Sequence, residues 1–168
     1  LVVVNASNRA KVWEWLSEHR PADVQMTDLS DEMALLALQG PAAATLMSEV
    51  GTPGLATLPS FAISQGRVLG IEAWISRTGY TGELGYEVWC HPKDAPEVWD
   101  AVFAAGAPFG ITPLGLDALD MLRIESGLIF AGYEFDDTIN PYEAGIGFAV
   151  GLKSTDEDFV GRSSVERK

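Results

Sequence analysis

The chain has 168 residues, 47% of them hydrophobic, and 24 acidic against 11 basic side chains give a formal net charge of −13. This composition supports a packed core, and an acidic surface without a Lys/Arg cluster argues against nucleic acid and anionic membranes as partners. No run approaches the roughly 18 apolar residues of a membrane-spanning helix, and the single cysteine, Cys90, fits a reducing cytosol and a cytoplasmic protein.

Leu1 to Val4 is a short β-branched run expected as a buried strand ending at Asn5. With no initiator Met and no signal-peptide pattern, the chain reads as an internal piece of a longer protein. Ser7 is placed to cap a helix from Asn8 to Glu18, whose Val12, Trp13, Trp15 and Leu16 give an apolar face. Pro21 ends it. Val24 to Thr27 alternates weakly as a strand, and Met33 to Leu38 reads as a central strand. Gly40-Pro41 then starts a helix that stops at Gly51. Strand, helix, strand, strand, helix is the opening of a split β-α-β arrangement, as in ferredoxin-like folds.

Gly51 to Gln65, with two prolines, reads as a surface loop, and Val68 to Ser76 as an alternating strand. Tyr86, Val88 and Cys90 share one face of the next strand; Glu87, Trp89 and His91 share the other. Asp94 to Glu97 resembles a capping box opening a helix to Gly106. Beyond Thr112 a second helix carries Leu114, Ala118, Met121 and Leu122 on one face, with Asp120 and Arg123 spaced for an i,i+3 pair, and stops at Gly127. Gly147 to Val150 is expected as a last strand, and a helix begins near Ser163. The expected organisation is 1–56 as the split β-α-β part, 57–152 as hairpin, strands and helices, and 153–168 as the start of a following segment. The fold class is α+β, an antiparallel sheet flanked by helices with part of a second small domain.

Between the two central strands runs R-T-G-Y-T-G-E-L-G-Y-E, Arg77 to Glu87. Its glycines recur every third residue, which permits a tight, shaped connection and close approach of another group. Tyr80, Thr81, Glu83, Tyr86 and Glu87 offer aromatic faces, a hydroxyl and carboxylates, suited to a flat heteroaromatic ligand rich in N–H donors. The spacing matches neither phosphate-binding glycine motif. Glu87, in a strand beside aromatics, either faces water or meets a donor. Asp136 and Asp137 fit a solvated acidic loop better than an acid–base pair. His19 fits an exposed helix end, and Trp13, Trp15 and Trp99 fit the core. Two histidines and one cysteine match no metal-ligand spacing, so no metal is expected.

The glycine segment resembles the T-G-Y-T-G-E-x-G-x-E signature of the aminomethyltransferase family, the T-protein of the glycine cleavage system and its relatives. V-V-V-N (Val2 to Asn5), L-L-A-L-Q-G-P (Leu35 to Pro41) and G-L-D-A-L-D-M-L-R-I-E-S-G-L-I-F-A-G-Y-E (Gly115 to Glu134) fit the family in the same order. The resemblance implies a tetrahydrofolate-dependent one-carbon (aminomethyl) transferase, with a lipoyl carrier protein as partner. It places Glu87 at the glutamate that holds the amino-pyrimidine edge of tetrahydrofolate. Val3, Asn5, Phe61 and Tyr80 fall at further folate-contacting positions. The catalytic residue is unknown within these residues, since the family's aspartate lies upstream of the V-V-N strand; this stretch alone is expected to be inactive and to bind folate weakly. Leu119 stands where glycine cleavage members carry an arginine. That departure favours the alternative of a related demethylase acting on N-, O- or S-methyl donors. A second alternative, a non-enzymatic folate-binding iron–sulphur assembly factor, carries a cysteine motif absent from this segment.

Overall fold

The structure is a computed structural model that describes residues 1–152 and 158–166; residues 153–157 of the expected following segment lie outside the described residues. Helix α1 spans Arg9–His19, strand β1 Ala34–Gln39, α2 Ala43–Val50, β2 Ile63–Val68, β3 Ile71–Ser76, β4 Gly85–Cys90, α3 Ala95–Gly106, α4 Leu116–Glu125 and α5 Arg162–Glu166. The chain divides into two compact units. The first is Leu1–Gly79 with Leu84–Thr112; the second is Tyr80–Glu83 with Pro113–Lys168.

The first unit holds one antiparallel sheet in the order β1-β4-β3-β2. Its two faces follow from the period-2 alternation of strand side chains. Leu38, Val68, Ala73, Ile75, Tyr86, Val88 and Cys90 form the buried face. Ala43, Leu46, Met47 and Val50 of α2, spaced i, i+3, i+4, i+7, cover it, joined by Val98 of α3. Tyr86 is buried because its hydroxyl finds a partner, donating to the Ala56 carbonyl at 2.7 Å. This α+β arrangement, an antiparallel sheet with flanking helices, is the expected class.

Several expected elements differ. Leu1 to Val4 and Val24 to Thr27 form no strand. Leu1, Val2 and Val3 are exposed, with no neighbouring strand among the described residues to complete a ladder. Of the expected split β-α-β opening, α1, β1 and α2 are present and the two other strands are not. The stretch expected as a loop to Gln65 contains the first half of β2, Ile63 to Gln65. Its inward positions before Val68 are Ser64 and Gly66, and at Gly66 Leu55 takes the side-chain space: a Cβ there would sit 3.0 Å from Leu55 Cδ1. Polar and small residues thus disguised a strand. Trp13, Trp15 and Trp99 are half-exposed rather than core, and α1 buries no residue. Neither Ser7 nor Asp94 makes a side-chain cap. Gly147–Ala149 forms a 3₁₀ turn where a strand was expected, with Tyr142 packed where a Gly147 side chain would be.

In the second unit the face of α4 expected to be apolar is not the buried one. Leu114 and Met121 are exposed, whereas Arg123 is 2% exposed. Its guanidinium pairs with Asp120 at 2.7 Å and Glu134 at 2.6 Å and donates to the Leu128 carbonyl. It also lies over the Phe130 and Tyr133 rings. Helix α4 ends in a Schellman motif. Leu128 N–H donates to Arg123 O and Gly127 N–H to Ile124 O, with Gly127 at φ +72°. No helix of the described residues is long and apolar enough to cross a membrane.

Candidate functional site

The face of the first unit's sheet opposite α2 carries Glu87 and Trp89 from β4, Ser76 and Trp74 from β3, and Gln39, Ala37 and Leu35 from β1. In the ladder Glu87 lies across from Ser76 on one side and Ala37 on the other. Four hydrogen-bond contacts converge here. Thr78 Oγ1 donates to Glu87 Oε2 in a very short contact, the Ser76 hydroxyl lies 2.7 Å from Thr78 Oγ1 and 3.3 Å from the same Glu87 oxygen, and Trp89 Nε1 donates to Ser76 Oγ at 3.4 Å. Glu87 Oε1 accepts no hydrogen bond from the described residues. The carboxylate is held by one oxygen and presents the other, which suits a ligand edge with parallel N–H donors.

Gln39, at the end of β1, bonds to the backbone on either side of this cluster. Its Nε2 donates at 3.2 Å both to the Thr78 carbonyl and to the Tyr86 carbonyl. A Cβ on Gly79 would lie 1.9 Å from Gln39 Oε1, and one on Gly85 only 1.8 Å from it. These two glycines are therefore empty of side chains to admit an amide from another strand. Only Gly82 of the three takes a positive φ, +77°, and the Ser126 hydroxyl lies against its Cα, donating to the Thr81 carbonyl at 3.0 Å. The sequence pattern exposes the glycine spacing but not Gln39, whose only signal is its place in L-Q-G-P.

Phe61 is 88% exposed and sits at φ +64°, a left-handed conformation unusual for a non-glycine residue. Ala62 N–H closes a turn onto Pro59 O at 3.0 Å, with Phe61 at the third position, which ordinarily belongs to glycine. Phe61 N–H donates to Arg77 O, and Arg77 N–H donates to Ala62 O. That pair is the signature of a bulge at the start of β2. Arg77 Nη1 anchors the preceding segment by donating to Leu58 O. Backbone strain thus holds a large apolar ring out in solvent.

The other sequence candidates stand apart from this network. Val3 is exposed, and so is Asn5, whose carbonyl accepts from Asn8 N–H at 2.9 Å. Among the described residues no hydrogen bond joins Asn5 or Phe61 to Glu87. Tyr80 belongs to the second unit, where its hydroxyl donates to Ile129 O at 2.5 Å and its ring meets Phe130. Burial raises its phenol pKa, with Arg123 acting in the opposite sense. Asp136 accepts from the Thr138 hydroxyl and N–H, an Asx turn rather than an acid–base pair, and those bonds hold its carboxyl low. Cys90 is buried, which pushes its thiol pKa up and leaves it a poor nucleophile. His19 stacks on Trp15 at 4.2 Å, an exposed helix end as expected.

A profile described as the GCVT N-terminal domain matches residues 1–154. The chain belongs to that family. An aminomethyltransferase of Geobacillus kaustophilus is 45% identical over 169 residues, covering 100% of this chain and 46% of that protein. One from Bacillus subtilis is 45% identical over 97% of this chain and 45% of its own length. A trimethylamine-oxide aldolase of Ruegeria pomeroyi is 46% identical over 92% of this chain and 21% of its own length. The crystal structure of glycine cleavage system aminomethyltransferase T from Bartonella henselae aligns with a TM-score of 0.75 at 29% identity, covering 87% of this chain and 38% of that one. The chain thus spans about half the length, 46%, of the aminomethyltransferase relatives it matches. Those relatives are enzymes.

Proposed function

We propose that the full-length protein carrying this sequence is a tetrahydrofolate-dependent one-carbon (aminomethyl) transferase in which Glu87 holds the folate. The observation that carries this reading is the Glu87 carboxylate, clamped on Oε2 by Thr78 and Ser76 with Oε1 left for a ligand. An amino-pyrimidine edge supplies the two N–H donors that such a carboxylate accepts. Phe61, held out in solvent, offers an apolar face of the kind that stacks on a flat ring. Val3, Asn5 and Tyr80 are further folate contacts under the same reading, and a lipoyl carrier is the partner that brings the aminomethyl group. Bound tetrahydrofolate supplies the acceptor of the one-carbon unit. These residues bind and orient it, a contribution of proximity rather than proton transfer. Calorimetry on the full-length protein tests this. Glu87→Gln is expected to weaken tetrahydrofolate binding by about 1.5–3 kcal/mol, the scale of a hydrogen bond to a charged group. Equal affinities would remove Glu87 from the site.

A second reading concerns the donor. Leu119 removes an arginine's five donors from α4. Arg123, one turn on, cannot substitute, because Asp120 and Glu134 already engage it. An N-methyl donor fits this apolar wall better than the aminomethyl-lipoyl arm, and the similarity to a protein named trimethylamine-oxide aldolase supports it. Side-by-side assays of aminomethyl-lipoyl protein and methylated amines as donors decide between them. Efficient turnover of the lipoyl substrate, with no gain from Leu119→Arg, returns the protein to the glycine cleavage branch.

A further inference from the structure

Gln39 carries an unusual feature. Its Oε1 is a buried acceptor with no hydrogen-bond partner. The amide cannot be turned round, since the carbonyls of Thr78 and Tyr86 both require the donor on that side. The oxygen is left against the Cα atoms of Gly79 and Gly85, a weak substitute for a donor. A leucine of similar size would remove the unpaired oxygen but would also strip the Thr78 and Tyr86 carbonyls of their shared donor. What those two carbonyls have in common is Glu87: Thr78 is the residue whose hydroxyl donates to Glu87, and Tyr86 immediately precedes Glu87. One NH₂ group ties down the backbone at both ends of the Thr78–Glu87 hydrogen bond.

We propose that Gln39 is a positioning residue for the Glu87 carboxylate, acting by clamping the Thr78 and Tyr86 carbonyls so that the Thr78 hydroxyl stays on Oε2 and Oε1 stays presented. Gly79 and Gly85 are the clearance this clamp requires. L-Q-G-P and the glycine segment are then two halves of one device. The inference rests on the reading of Glu87 as the folate carboxylate.

A double-mutant cycle tests it, with tetrahydrofolate binding measured calorimetrically on the full-length protein. Gln39→Leu is expected to weaken binding about ten-fold when Glu87 is present, the scale of one lost charge-assisted hydrogen bond. In a Glu87→Gln background the same change is expected to cost less than about two-fold. Equal losses in the two backgrounds, or no loss in either, overturn the proposal. Should Gln39→Leu fail to fold, Thr78→Val and Thr78→Ser probe the same linkage. Loss in the first with recovery in the second supports it, and equal affinities overturn it. Wild-type protein that binds no tetrahydrofolate overturns both the function and the clamp. Wild-type binding with additive losses overturns the clamp alone.

Discussion

Phe61 combines a left-handed backbone with an exposed ring. Its left-handed backbone costs a non-glycine residue roughly 1–2 kcal/mol, and its exposed ring recovers little of that by packing. Phe61→Gly is therefore expected to be more stable than Phe61→Ala by about 1 kcal/mol, the reverse of the usual ranking of these residues. Chemical denaturation of both variants checks this. Under the proposed folate reading, both are expected to bind tetrahydrofolate more weakly than wild type, since each removes the ring. Nothing in L-P-S-F announces the strain, because the positive φ arises from the turn onto Pro59 and the bonds to Arg77, 16 positions away in the chain. Glu87 was legible as a candidate, but its clamp was not. Ser76 and Thr78 reach it only through the register that sets Ser76 opposite Glu87.

At the scale of elements, the glycine segment behaves as a socket for Gln39. Gly79→Ala is expected to evict the amide rather than distort the backbone, since the amide is the far end of a flexible side chain. Losing its two hydrogen bonds should cost about 1–3 kcal/mol. In a Gln39→Ala background the same substitution should cost much less, and denaturant midpoints of the four proteins provide the check. Elements with a strong period were legible. In α2 the apolar residues recur with helical spacing, and in β3 and β4 the two faces alternate cleanly. Elements shaped by distant contacts were not. Strand β2 hides behind small and polar residues, with Gly66 under Leu55, and α1 keeps its tryptophans half-exposed despite an apolar sequence. On α4 the pattern of apolar residues pointed to one face, yet the buried group is a guanidinium that Asp120 and Glu134 neutralise.

For the whole molecule, the charge of −13 means that like charges oppose compaction. The melting temperature is expected to rise between low salt and physiological ionic strength as that repulsion is screened. Acid works on a different set of groups. The Asp28 carboxyl is drawn down to about 2 by the Ser30 hydroxyl and N–H and by Arg9. Arg9 lowers Asp31, and Arg123 lowers Glu134. A carboxylate with a depressed folded pKa contributes stability above its unfolded value, ~4, and loses it as pH falls through the folded value. Thermal melts should therefore decline below pH ~4, and Asp28→Asn should flatten the decline toward the low end of that range. A decline of equal steepness in the variant would remove Asp28 from the acid transition. A last consequence follows from the two-unit division of the chain. Once Cys90 has been synthesised, all four strands of the sheet exist and can pair. Tyr80 and Thr81, carried on the connection between β3 and β4, find their partners only at Ile129 and Ser126, 49 and 45 residues later. Loop closure over that distance makes the order of events on the ribosome unequal. The sheet that holds Glu87 has its parts early, while the middle of the glycine segment waits for α4 and sets last.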